Sequence, residues 1–304
     1  MRPYHIPVLA DACIDGLQIA ESGIYVDATF GGGGHSALIL QALGPGGKLI
    51  GFDQDEDAKR NLPEDERFQF VPNNFRHLKR FLKLYGIREV DGILADLGVS
   101  SHQLDEAERG FSFRYEAELD MRMNQQGTLT AAQVLNQYSA ADLQSLFSRY
   151  GEVRNAKTLA QHIVTQRNIA ELRTIGDFLA IIDPLIRGQR QRYLAQVFQA
   201  IRIEVNDEMG ALKEFLEQSL EVLKPGGRLV VMSYHSLEDR AVKYFLKTGN
   251  IEGKVEKDFY GNIDRPFQLI TKKAIVPTPE ELRENPRSRS VKLRIGEKRA
   301  TNDK

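Results

Sequence analysis

GIYVDATFGGGGHSALILQAL, Gly23 to Leu43, decides the fold. Gly23 to Phe30 reads as a short buried strand, rich in β-branched and aromatic side chains. Four consecutive glycines, Gly31 to Gly34, allow a tight turn and a close backbone approach to a ligand. A helix from about His35 to Leu43 follows, ended by Gly44-Pro45-Gly46-Gly47. Strand, glycine turn and helix together would place a ligand near the helix N-terminus.

Outward from this unit the alternation continues. Lys48 to Asp53, Phe68 to Pro72 and Val90 to Leu97 read as strands, with helices opening at Asp55 and spanning Phe75 to Tyr85. Such alternation predicts an α/β fold, a parallel Rossmann-like sheet with helices on both faces. From about Gln103 to Arg192 it lapses. Ala131 to Leu135, Ala140 to Tyr150, Ala156 to Arg167 and Thr174 to Arg187 carry helical spacing. The α/β pattern then returns. Leu194 to Leu223 is helical with a break near Asn206-Asp207, Lys224 to Gly227 is a sharp turn, and Arg228 to Tyr234 is a fifth strand. Asp239 to Lys247 is helical, and Phe267 to Thr271 and Val291 to Ile295 are two further strands around a Pro277 to Pro286 loop. The expected organisation is an α/β domain over 1–103 and 194–304, interrupted by a helical insertion over 104–193.

The 304 residues are 41% hydrophobic and 27% charged, with net charge −1, so any basic surface for nucleic acid is local. A single cysteine, Cys13, excludes an internal disulfide and a thiolate metal cluster and fits a reducing cytoplasm. It reads as a small buried apolar residue. Met1 to Asp11 has no signal-peptide core, and no apolar run approaches the ~20 residues that span a bilayer. The expected location is the cytoplasm, without a membrane.

Acidic residues mark the strand ends. Asp53 lies 22 residues after Gly31, where a carboxylate can accept both ribose hydroxyls of a nucleoside. Gly32-x-Gly34-x-x-Ala37 satisfies the dinucleotide fingerprint, so a nicotinamide cofactor is one reading. Asp27, just before Gly31, would repel a pyrophosphate but suits the sulfonium and ammonium groups of S-adenosylmethionine. Asp96 ends the fourth strand, followed by a polar loop in which His102 and Gln103 contact an adenine or hydrogen-bond the loop. Phe111 and Phe113, interleaved with Arg109, Arg114 and Arg122, either clamp a nucleobase or seal the insertion. Ser233, Tyr234 and His235 leave the fifth strand towards the same edge as Asp96, with Ser236 as a helix cap over Asp239. No spacing there is diagnostic of a metal. Arg187, Arg190 and Arg192, and the arginines and lysines between Arg283 and Arg299, can neutralise phosphates.

A set of ordered motifs runs nearly end to end. They are His5-x-Pro7-Val8-Leu9, Thr29-Phe-Gly31-x-Gly33-Gly34-His35, Asp96-Leu-Gly-Val-Ser-Ser101, Gln103-Leu-Asp105, Arg109-Gly-Phe-Ser-Phe113 and Leu119-Asp120-Met-Arg122-Met123. Phe198-Gln-Ala-x-Arg202-Ile-x-Val-Asn206, Ser233-x-His235-Ser-Leu-Glu-Asp239 and Asn285-Pro-Arg287-x-Arg289 complete them. With them the chain resembles the bacterial 16S rRNA (cytosine-N4)-methyltransferases, the MraW or RsmH family. The resemblance implies a Rossmann-like class I methyltransferase sheet with a helical substrate-recognition insertion. It implies S-adenosyl-L-methionine as cofactor and N4-methylation of a decoding-centre cytosine, nucleotide 1402. The implied partners are 16S rRNA and the small ribosomal subunit, with a homodimer left open.

On this reading Asp27, Gly31, Gly33, Gly34, His35, Asp53, Phe75, Asp96 and Gln103 bind the cofactor. Asp96, Ser233 and His235 serve catalysis, and Arg109, Phe111, Phe113, Asp120, Arg122, Arg287 and Arg289 bind substrate. The chain departs from the family at His102, where proline is common, at Val153 and Asn155, and at Ser288. Asp96-Leu-Gly-Val also lacks the Pro-Pro-aromatic tail that many amino-methyltransferases carry after this strand. Two rival functions are a nicotinamide-dependent oxidoreductase and a non-catalytic RNA-binding ribosome assembly factor.

Overall fold

The structure, a computed structural model, describes residues 7–255 and 265–300; His5, in the first motif, lies outside them. The chain begins α1 (Ala10–Leu17), β1 (Ile24–Asp27), α2 (Gly34–Ala42), β2 (Lys48–Phe52), β3 (Phe68–Val71), α3 (Leu78–Leu84) and β4 (Val90–Asp96). The helices α4 (Ser101–Asp105), α5 (Ala131–Gln137), α6 (Ala140–Gly151), α7 (Ala156–Arg167), α8 (Ile175–Ile182) and α9 (Arg190–Asn206) follow. Then come α10 (Glu208–Val222), β5 (Leu223–Ser233), α11 (Ser236–Thr248), β6 (Phe267–Leu269), α12 (Pro279–Glu284) and β7 (Lys292–Lys298). No described helix is long and apolar enough to cross a membrane.

The chain divides into two compact units, 1–98 with 210–304, and Val99–Met209. In the first, seven strands form one sheet in the order β3-β2-β1-β4-β5-β7-β6. The five strands β3-β2-β1-β4-β5 are parallel, as the alternation predicts. The last two are not: β7 runs antiparallel to β5, and β6 to β7. After β5 the chain passes through α11 to the edge strand β6, then through α12 to β7, which lies between β5 and β6. The strand order reverses between β1 and β4, and in a doubly wound sheet ligands bind outside the carboxyl ends of strands at that switch point. Asp27 and Asp96 end those two strands.

Lys224 to Gly227 forms a bulge inside β5. Val90 pairs with Leu223 and Gly92 with Arg228, so the extra residues loop out. Lys224 Nζ closes the bulge on the Asp91 carboxylate at 2.8 Å.

The insertion is a helical unit with its own core, including Leu143, Phe147, Leu159, Phe178, Leu194 and Val197. Its helices α6, α7 and α9 pack together. Its limits, Val99 and Met209, lie outside the expected 104–193, because α9 starts at Arg190 and buries Tyr193, Val197, Phe198 and Ile201 in that same core. The expected break near Asn206 is present: Asp207, at φ 46°, ends α9 and α10 restarts at Glu208.

Asn206 ties the end of α9 to the Met121–Met123 loop. Its Oδ1 accepts from Met123 N at 2.7 Å, and its Nδ2 donates to the Met121 and Arg202 carbonyls. Asn206→Ala leaves these partly buried backbone groups unpaired, at a cost of about 2 kcal/mol. Native-state hydrogen exchange should then show the most protected amides of α6 and α9 opening roughly thirtyfold more readily. Unchanged protection would contradict this role.

Candidate active site at the carboxyl edge of the sheet

Asp27 is 1% exposed. Its Oδ2 accepts from Ser36 Oγ at 2.7 Å and its Oδ1 from Thr29 N at 3.1 Å. The carboxylate therefore faces into the turn and holds it. Burial raises its pKa, opposed by His35 and by these hydrogen bonds.

The glycine turn is fixed from its other side by Asp53, just beyond β2. Asp53 Oδ2 accepts from Gly31 N at 2.7 Å and Oδ1 from Asp55 N at 2.8 Å. Asn61 Nδ2 donates to the Gly31 carbonyl. Gly33, the N-cap of α2, sits at φ 77°, in the left-handed region, and a Cβ there would press on the Phe30 ring at 3.1 Å. Desolvation pushes the Asp53 pKa up to about 6 from an ordinary 3.8. The folded chain thus holds this proton more tightly than the unfolded one. The stability it contributes is present below pH 3.8 and lost as pH rises through about 6. Phe75 opens a 3-10 turn after β3, half-buried, its ring 5.1 Å from Phe215 in an edge-on contact.

Asp96 gathers the most partners. Its backbone N–H donates to Thr29 Oγ1 at 2.7 Å, which joins the end of β4 to the glycine turn. Its Oδ1 accepts from the Tyr234 hydroxyl at 2.8 Å, and its Oδ2 lies 4.0 Å from His35 Nδ1. His35 Nε2 lies 3.0 Å from the Val8 carbonyl. A carbonyl only accepts, so Nε2 carries the proton and the ring is oriented with Nδ1 towards Asp96. Burial raises the Asp96 pKa, while His35 and the Tyr234 hydrogen bond pull it back. A quarter of the Asp96 side chain stays accessible, which leaves a carboxylate able to take a proton from a bound group.

Ser233 and His235 take other roles than expected. Ser233 is 2% exposed and its Oγ donates to the Lys292 carbonyl. His235 is the N-cap of α11 in place of Ser236. Its Nδ1 accepts from Glu238 N at 3.4 Å, and Glu238 Oε2 accepts from the backbone N–H groups of Tyr234 and His235. His235 Nε2 lies 3.2 Å from Glu238 Oε1. Both side chains shape the end of β5 from within. The residue between them, Tyr234, reaches Asp96 instead. The polar run after β5 marks it, but no spacing links it to Asp96. Ser36 and Thr29 were likewise unmarked, beyond their place in the glycine turn.

The expected substrate residues of the insertion mostly hold its own loop. Phe111 is 7% exposed within the apolar core, and Phe113, half-buried, packs on Phe198 at 5.4 Å, so both rings help to seal the insertion. Arg109 Nη2 donates to the Arg122 and Met123 carbonyls. Arg122 makes a bidentate pair with Asp120 at 2.8 and 2.6 Å and donates to the Gln125 and Gly127 carbonyls. Four of its five N–H donors are thereby engaged within the loop. Gln103 closes a capping box with Ser100 at the start of α4. In the sheet unit, Arg287 and Arg289 are exposed on the 3-10 turn before β7.

The comparisons with known proteins agree with one another. The sequence profile of the MraW methylase family matches residues 2–299. A protein of Bacteroides thetaiotaomicron named ribosomal RNA small subunit methyltransferase H is 58% identical over 297 residues, which cover 97% of this chain and 98% of that one. The protein of the same name from Flavobacterium johnsoniae is 57% identical over 296 residues, 97% and 98% of the two chains. The profile match over nearly the full length and the identity to these relatives show that this chain, with its Rossmann-like sheet, belongs to the MraW methylase family.

Proposed function

We propose that this chain methylates the exocyclic N4 of a cytosine in 16S rRNA, nucleotide 1402 of the decoding centre, in the cytoplasm. The observation that carries the reading is the Asp96 carboxylate, partly accessible at the switch point and joined to the glycine turn through Thr29 and His35. The names of the relatives, which refer to small-subunit ribosomal RNA, support the choice of substrate.

S-adenosylmethionine is the cofactor, and the residues present fit it. Asp27, Asp53 and Asp96 put negative charge at the ends of β1, β2 and β4, which opposes a pyrophosphate and favours a cation. Each Asp53 oxygen accepts one backbone N–H and keeps a further lone pair for a ribose hydroxyl. The Gly31 to Gly34 backbone and the half-buried Phe75 complete the cradle. Bound there, the cofactor supplies a methyl carbon made electrophilic by its sulfonium.

The chain must do the rest. The N4 lone pair of cytosine conjugates with the ring, so the amine is a weak nucleophile. Asp96, accepting a hydrogen bond from N4–H, favours the pyramidal amine and then takes its proton. Holding the amine in line at roughly 3–3.5 Å from its target supplies the orientation that the reaction needs. Exposed arginines at 187 and 192, and at 287 and 289, offer phosphate contacts that position the RNA.

The test is incubation with labelled S-adenosylmethionine and small subunits from cells lacking this modification. Label should appear in 16S rRNA as N4-methylcytosine; label on another atom, or none with the cofactor bound, would refute the assignment. S-adenosylmethionine, and not NADH, should raise the melting temperature. Because Asp53 titrates at about 6, its hydrogen bonds to ribose weaken as it is protonated. The cofactor Kd should rise by up to about tenfold per pH unit below that point. Asp53→Asn should flatten this dependence, and an unaltered profile in that variant would contradict the role of Asp53.

A further inference from the structure

We propose that the Tyr234 hydroxyl is a positioning group for Asp96, holding one carboxylate oxygen so that the other receives the proton; this rests on the reading of Asp96 given above. The hydroxyl donates to Asp96 Oδ1 at 2.8 Å, and Oδ2 has no comparably short contact to any other side chain among the described residues. One oxygen is thus anchored and the other presented.

The anchor is itself rigid. Tyr234 follows β5 directly, its backbone N–H donates to the buried Glu238 carboxylate at 2.9 Å, and its ring packs against the α1 and β-sheet core that includes Leu9, Cys13 and Met232. Gly98, at φ 96°, brings its Cα against the ring, where an added Cβ would lie 3.4 Å from it. The phenol stays protonated, since burial and the Asp96 charge push its pKa well above the ordinary 10, so it remains a donor at every working pH. The charged or titratable groups that act on Asp96 are His35 from α2, Asp27 from β1 and Glu238 from α11, besides Tyr234 itself. Cys13 from α1 also feels its charge. A donor to the carboxylate favours its ionised form against the two carboxylates around it, Asp27 and Glu238.

Tyr234→Phe removes the donor and keeps the ring. The acid limb of the kcat–pH profile should move up by on the order of one pH unit, as expected for loss of one hydrogen bond to a charge. On that limb kcat should fall about tenfold, recovering on the alkaline side, with KM for both substrates and the melting temperature little changed. A profile that coincides with wild type, or a loss equal at all pH values, would overturn the proposal. Asp96→Asn, measured alongside, separates the two ideas. If it loses at least about a hundredfold in kcat while Tyr234→Phe keeps the wild-type profile, only the Tyr234 role fails. If Asp96→Asn turns over normally, Asp96 is not the acceptor and both fail.

Discussion

Burying carboxylates at the ends of apolar strands is costly, and the carboxyl edge of this sheet is organised around offsetting that cost. Asp27, Asp53 and Asp96 all have raised pKa values with desolvation as the first cause. Each is met by close donors: Ser36 and Thr29 for Asp27, two backbone N–H groups for Asp53, and Tyr234 for Asp96. These same bonds set the glycine turn, so the cofactor cradle and the charge that recognises a cation are one construction. The N-terminal segment belongs to it too. Glu281 of α12 accepts from Leu9 N at 2.6 Å, and the adjacent Val8 carbonyl orients His35.

Much of this was legible in the sequence, because the signals are local. β-branched residues followed by four glycines can hardly be read otherwise than as strand, turn and helix, and acids at strand ends announce an edge site. What escaped depends on distant partners or absent signals. Tyr234 and Asp96 are separated by 138 residues and meet only because β4 and β5 pair in register, with Asp96 beside Met232. The helix α1 has Leu9 as its N-cap, at φ 49° and with no side-chain cap hydrogen bond, so nothing in the sequence marks its start. The cap of α11 lies one residue before the Ser236 that the sequence suggests. A neutral imidazole can accept as a hydroxyl does, and His235 with Glu238 satisfies the same spacing that Ser236 with Asp239 offers. Asp239, released from that role, pairs with Lys292 and Arg294 of β7 and ties α11 to the antiparallel edge.

The insertion shows how motifs can mark structure as well as contact. Arg109, Phe111, Asp120, Arg122 and Asn206 all lie in motifs shared with the family, and in this structure they latch one loop and its core. An aromatic beside an arginine has the same sequence signature whether it stacks on a base or closes a core, and only burial separates the two. The helical period runs unbroken through Arg190 to Asn206, so periodicity alone cannot say which core that helix serves.

The central claim is that desolvation of these three aspartates governs the site. Carbon-detected NMR titration of the aspartate carboxyl groups in the free protein tests it most directly. Asp53 should titrate at about 6, and Asp27 and Asp96 above the ordinary 3.8, while Asp239, held by Lys292 and Arg294, titrates below it. If Asp27, Asp53 and Asp96 titrate with the surface carboxylates near 3.8, the edge is not the desolvated charge cluster described here, and the account of both cofactor recognition and proton transfer is wrong.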